Sequence, residues 1–264
     1  MIDVHIDAQL NCIEIVLVSP RNPLNIGAAA RAMANFGFEH LAVVAPYAPN
    51  WREARSAVGA PRLLRNALST ERLAEAVADC TLVAGTGTLA HRKPEQPVVH
   101  LPALAPLVEQ EIARGGRFAL VFGPEKRGLT RDDLSHCHLL VEIPTNPRQP
   151  SMNLGQAVAV CLYELARRAP LSASGAALQD PPGASSSARP WPAIRSGPGA
   201  PAGALDLLAG AIEEVMTASG YSPAAMRAAN RLDLRLLLRR IDLTETDARR
   251  TLRLFRRILW RLRH

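Results

Sequence analysis

The stretch "IPTNPRQPSMNLGQAVAV", residues 143–160, decides how this chain is read. An apolar run, "HLLVEIP", leads into it, and Ala157, Val158, Cys161, Leu162 and Leu165 then recur at helical spacing. Between run and helix lies a loop carrying Pro144, Pro147 and Pro150, whose locked φ angles stiffen the backbone. A strand that ends in a stiff loop and restarts as a helix is one unit of a parallel sheet. In such sheets ligands sit beyond the C-terminal ends of the strands, so the loop is shaped to hold something.

Working outward, the same unit recurs. "CIEIVLV", "LAVVAP", "TLVAG" and "FALVFG" are further apolar runs bounded by Gly or Pro. Amphipathic patterns predict helices over 25–35, 70–79, 104–113 and 153–168. The reading is an α/β domain over 1–169, its parallel sheet covered by helices. Composition then shifts to Pro, Gly, Ala and Ser across 170–203, as in "DPPGASSSARP", which reads as a flexible linker. Helical patterns return over 204–219, 223–240 and 244–263, so 204–264 is a small all-helical extension. Thr244 with Asp247 three residues on marks the last helix start.

At 264 residues and 48% hydrophobic content the chain has ample material for a core. No stretch approaches the roughly 18 apolar residues of a membrane span, and "MIDVHIDAQLN" does not read as a signal peptide, so a cytosolic protein is expected. Cys12, Cys80, Cys137 and Cys161 are scattered and without ligand spacing, which predicts free thiols and no metal. His136 and His138 flank Cys137 in an alternating pattern that reads as packing. The formal net charge is +7. It is concentrated in residues 227–264, where twelve arginines face four acidic residues. Arginine forks bind phosphate bidentately, so the tail points to a polyanion, nucleic acid first.

Four loops remain to be inspected: "SPRNPLNIGAAAR", "GTGTLAHRK", "GPEKRGLT" and "PTNPRQPSMN". "GPEKRGLT" has two glycines of a phosphate-binding loop, but Leu129 stands where the lysine belongs. No strand is followed by G-x-G-x-x-G. What is left is a set of loops shaped by glycine and proline with few ionisable groups, suited to a neutral heterocycle held by backbone N–H and C=O.

"NIGAAAR" (25–31), "VFGPEKRGL" (121–129) and the opening stretch resemble, in order and spacing, the three motifs of the SPOUT superfamily of RNA 2′-O-ribose methyltransferases. The resemblance covers about 12–168. It implies a SPOUT-type parallel sheet with a C-terminal trefoil knot, a homodimer, and S-adenosylmethionine as cofactor. The knot is an expectation that periodicity alone does not supply, since threaded chains are rare. Beyond the linker, the arginine-rich helices resemble the extension of a branch that methylates cytidine or uridine at tRNA anticodon-loop position 32. tRNA is therefore the expected partner.

Carried over by position, the resemblance implies three cofactor walls: Thr86, Gly87 and Thr88; Gly123; and Ile143 with Ser151, Met152 and Asn153. Met152 replaces a leucine of similar volume, and Gly87 stands where a serine is frequent. Arg31 matches the catalytic arginine, read here as a cation that anchors phosphate and stabilises charge on the 2′-oxygen, since deprotonating arginine is costly. Asn25 is expected to hold the loop of that site, and Glu125 to order its own. Arg92, Lys93, Arg235, Arg239, Arg253 and Arg257 are the expected RNA contacts. Ser151 has no evident histidine and acid partners, so it belongs to the cofactor loop. Two other readings stay open: methylation of ribosomal RNA, and RNA binding without catalysis.

Overall fold

The structure is a computed structural model that describes residues 10–87, 94–168 and 197–264. In chain order the elements are β1 (Ile13–Val18), α1 (Pro23–Phe36), β2 (His40–Val44), a 3-10 turn (Trp51–Glu53), α2 (Pro61–Asn66), β3 (Leu68–Thr70), α3 (Leu73–Ala76) and β4 (Leu82–Thr86). They continue with β5 (Val98–His100), α4 (Leu104–Ala113), β6 (Phe118–Phe122), α5 (Arg131–Ser135), β7 (Leu139–Glu142) and α6 (Leu154–Arg168). Three helices close the chain: α7 (Ala202–Ala218), α8 (Arg227–Arg240) and α9 (Glu245–Arg263).

Seven strands pair in the order β3-β2-β1-β6-β4-β7-β5, all parallel. β1 explains why the sheet is central. Ile13, Ile15 and Leu17 enter one core cluster and Val16 and Val18 the other, so both of its faces are covered. α1, α4 and α6 supply buried side chains to the first cluster, and α3 with Ala202 of α7 to the second. Helices α1 and α6 approach closely at Gly155, where a Cβ would stand 2.7 Å from the Ala28 Cβ. α1 starts as its sequence dictates: Asn22 Oδ1 accepts from Leu24 N at 2.9 Å, Pro23 opens the first turn, and Gly37 ends it at φ 80.

Two short strands, β3 and β5, were not expected, and the helix predicted over 70–79 shrinks to the four residues of α3. The expected linker also ends before residue 203. Gly199 N donates to Glu111 Oε1 at 3.1 Å, Ala200 N to Leu243 O at 2.8 Å, and Ala202 N to Cys80 O at 2.9 Å. α7 thus begins packed on the sheet domain. The rest of that stretch, 170–196, lies outside the described residues, as does residue 169. Among the described residues no helix is long and apolar enough to cross a membrane.

Candidate active site

The C-terminal ends of β4, β6 and β7 open onto one cleft of about 300 Å³. Thr86 and Gly87 form its first wall, the loop from Phe122 to Leu129 its second, and Ile143, Thr145, Pro150, Ser151, Met152, Leu154 and Ala157 its third. Each wall is held from behind. Thr86 Oγ1 donates to Val121 O at 3.0 Å, and Gly87 N to Val141 O at 3.2 Å. The second wall doubles back so tightly that a Cβ on Gly123 would lie 2.3 Å from Leu129 N, a position only glycine can fill. The third closes on itself, with Thr145 Oγ1 donating to Pro150 O at 3.1 Å and Gln149 N to Asn146 O at 2.8 Å.

A chain of hydrogen bonds ties the three motif segments together. Asn25 Nδ2 donates to Glu125 Oε1 at 2.7 Å, and Asn153 Nδ2 donates to Asn25 Oδ1 at 3.0 Å. Asn153 Oδ1 in turn accepts from Gly155 N at 2.9 Å, in the first turn of α6. Glu125 also receives the backbone N–H groups of Arg21 and Asn22, each at 3.3 Å. Partial burial pushes the Glu125 carboxyl up, but the bonds from Asn25, Arg21 and Asn22 outweigh it and hold the pKa below the usual value. An ionised Glu125 accepts these three bonds and pins the start of α1 to the β6 loop, which suits ordering and not base catalysis.

Of the residues expected against the cofactor, Thr86, Gly87, Gly123, Ile143, Ser151 and Met152 line the cleft. Asn153 does not line it and serves the chain just described. Thr88, Arg92 and Lys93 lie outside the described residues. Arg31 is exposed on α1 and is not among the cleft-lining residues. Lys126 and Arg127 do line it, two cations that "GPEKRGLT" displayed but that the reading passed over.

The RNA-binding expectation needs a correction. Arg239 is 1% exposed, and its Nη2 donates to Asp206 Oδ1 at 2.9 Å, beside His136, so no phosphate can reach it. Arg235 is mostly buried and bonded to Asp132 at 2.9 Å. Both arginines hold the extension to the sheet domain. Arg253 and Arg257 are exposed on α9, in one stripe with Arg250 and Arg261.

The cleft fits a flat heterocycle in chemistry. Phe122, Leu129, Ile143, Met152 and Leu154 supply apolar walls, and strand-end backbone with Thr86 and Ser151 supplies the polar atoms. Comparison with known proteins agrees with that geometry. Residues 13–163 match the SpoU rRNA Methylase family. A Pseudomonas aeruginosa protein named tRNA (cytidine/uridine/adenosine-2'-O-)-methyltransferase TrmJ is 39% identical over 167 residues, which are 63% of this chain and 64% of that protein. The match thus spans a little under two thirds of that relative. A Cronobacter sakazakii protein named tRNA (cytidine/uridine-2'-O-)-methyltransferase TrmJ is 34% identical over 80% of this chain and 81% of its own length. Among solved structures, TrmJ from Z. mobilis ZM4 superposes with a TM-score of 0.73 at 30% identity, covering 95% of this chain and 99% of that one. Sheet order, cleft and motif segments all fall inside the matched residues, and the chain belongs to the SpoU rRNA Methylase family.

Proposed function

We propose that the protein transfers a methyl group from S-adenosylmethionine to the 2′-oxygen of a ribose in tRNA, with cytidine or uridine at anticodon-loop position 32 as the target. The observation that carries the reading is the hydrogen-bonded chain from Glu125 through Asn25 to Asn153, which joins three segments far apart in sequence around one cleft. The tRNA methyltransferase names of the relatives support the substrate. The exposed α9 arginines supply phosphate contacts.

When bound, the cofactor supplies an electrophilic methyl on a sulfonium. The cleft's apolar walls and strand-end backbone would hold its adenosyl part. That methyl would pass to the 2′-oxygen as the carbon–sulfur bond breaks, with the hydroxyl proton released to solvent. Positioning and charge stabilisation dominate such a step. Arg31 remains cationic and holds the neighbouring phosphate and the developing charge on oxygen.

The same reading includes a homodimer and a cytoplasmic location. α1 and α6 run side by side in the same sense, since Gly155 packs on Ala28 and the Tyr163 ring meets Phe36 at 6.0 Å. Their outer face leaves Leu24 54%, Val160 38% and Tyr163 54% exposed, beside Arg31. A second copy covering this face would bring Arg31 into the shared interface. The reading also takes 143–160 as the segment threaded through a trefoil knot, its prolines keeping that loop in shape.

Mass spectrometry of nucleosides and of nuclease fragments from tRNA incubated with protein and cofactor tests the proposal. A 2′-O-methylated pyrimidine at position 32 is expected, and methylation confined to ribosomal RNA overturns the substrate. Arg31→Ala is expected to lower turnover at least 100-fold, with cofactor affinity by calorimetry changed less than two-fold.

A further inference from the structure

The loop that feeds Glu125 its backbone N–H groups stands next to an exposed aromatic ring. Tyr47 is 76% exposed, although the segment carrying it is firmly held. Its N–H donates to Pro20 O at 3.2 Å, Trp51 four residues on is 1% exposed, and Ser56 Oγ donates to Leu24 O at 2.7 Å. Core burial therefore does not explain where the ring points. A lone exposed tyrosine means little. Here it coincides with two further features.

The first is a cation. The Arg21 guanidinium carbon lies 5.7 Å from the Tyr47 ring centroid, and Arg21 N is one of the donors to Glu125. Ring and guanidinium thus share the scaffold that joins the motif segments. The second is strain. Ser19 and Ala45 have φ of 44 and 43, both in the left-handed region that side chains avoid. They sit at the ends of neighbouring strands, where Ser19 N donates to Val44 O and Ala45 N to Thr70 O, each at 2.8 Å. Both strained residues come two positions before the residue presented, Arg21 and Tyr47. Strain of this kind persists where surrounding bonds enforce it, and it concentrates at functional sites.

We infer that Tyr47 and Arg21 form a stacking platform for an unpaired nucleobase flanking the methylated ribose, with Arg21 also meeting that nucleotide's phosphate. Bases in single-stranded RNA loops are read by stacking on aromatic rings and guanidinium planes. Stacking tolerates any base, so the platform fixes the loop's path past the cleft without demanding one sequence. The inference rests on the RNA-methylation reading.

The test uses the full chain as wild type, Tyr47→Phe, Tyr47→Leu and Arg21→Gln. One readout is steady-state methylation of a tRNA transcript. The other is fluorescence of an anticodon stem-loop RNA carrying 2-aminopurine beside the target ribose. Tyr47→Phe keeps KM for tRNA within two-fold of wild type and keeps the fluorescence quench. Tyr47→Leu raises KM about ten-fold or more and loses the quench, with kcat, cofactor affinity and Tm unchanged. Arg21→Gln raises KM less. A leucine variant with wild-type KM and quench overturns the inference, as does one whose sedimentation shows an altered oligomer, which would make the ring a protein contact. Wild-type protein that quenches the probe but methylates no RNA overturns the enzymatic reading and leaves the platform standing.

Discussion

α8 and α9 carry arginines at the same helical periodicity and use them in opposite ways. On α8, Arg231 pairs with Glu213, Arg235 with Asp132 and Arg239 with Asp206. On α9, Arg250, Arg253, Arg257 and Arg261 face solvent, and the Arg257 guanidinium lies over the Trp260 ring at 4.6 Å. The neighbours make the difference. α8 lies between α7 and α5, both of which present carboxylates to it. α9 meets α7 through Ala248, Leu252 and Phe255, which turns its aliphatic side inward and its cations out. A cluster of positive charge is therefore a binding surface only where the fold leaves it without acids. The three α8 arginines are an internal fastening. On α9, Arg263 still pairs with Glu214 of α7 and Arg249 with Glu245, while the stripe of four forms the open surface.

The sharpest challenge to that contrast is Arg239→Ala. It removes the buried guanidinium from a partly buried carboxylate, leaving Asp206 with His136 alone, and is expected to cost roughly 3 kcal/mol in chemical denaturation, while the salt dependence of RNA binding stays unchanged. A milder loss with a shallower salt slope would mean that Arg239 reaches RNA after all. Next in size is the joint change of Arg250, Arg253, Arg257 and Arg261 to Gln. Stability is expected to hold, and the slope of log K against log salt to flatten by up to about 3, read by filter binding from 50 to 300 mM salt.

Asp206 gives a pH test of the fastening. Burial raises its pKa, but His136 and Arg239 together overcome that and leave it at about 2, below the ordinary 3.8. A depressed carboxylate contributes stability in full above pH ~4 and loses it as pH falls through about 2. Asp206→Asn is expected to remove that acid-side decline, on the order of 2 kcal/mol, from denaturation curves taken between pH 5 and 2. The smallest effect belongs to Arg235→Ala. Its partner Asp132 is 69% exposed, so the loss is expected to stay below about 1 kcal/mol, as a Tm shift of a few degrees.

Five strands were legible as apolar runs because parallel strands buried on both faces consist of little else. β3 and β5 were not, since each is three residues long and the first shows "LST" half in water. Their place at the sheet edges follows from long-range pairing that no local pattern encodes. The cleft was legible through its motifs, and Gly123 most of all, because a steric demand admits one residue type. Arg235 and Arg239 misled for a physical reason. Charge and periodicity place a residue on a face, but whether that face meets water or Asp206 is decided by a helix far along the chain from the other partner, His136.

The bond chain through Asn25, Glu125 and Asn153 also constrains how this protein can vary. Each side chain orients the next, so replacing one loosens the geometry of the other two, while replacing all three removes the mutual dependence. Single changes to Ala should cost more in sum than the triple change, a departure from additivity that a mutant cycle measures. A lineage could abandon this junction only by altering three distant codons nearly at once. Selection would then hold it in place even while the walls of the cleft drifted.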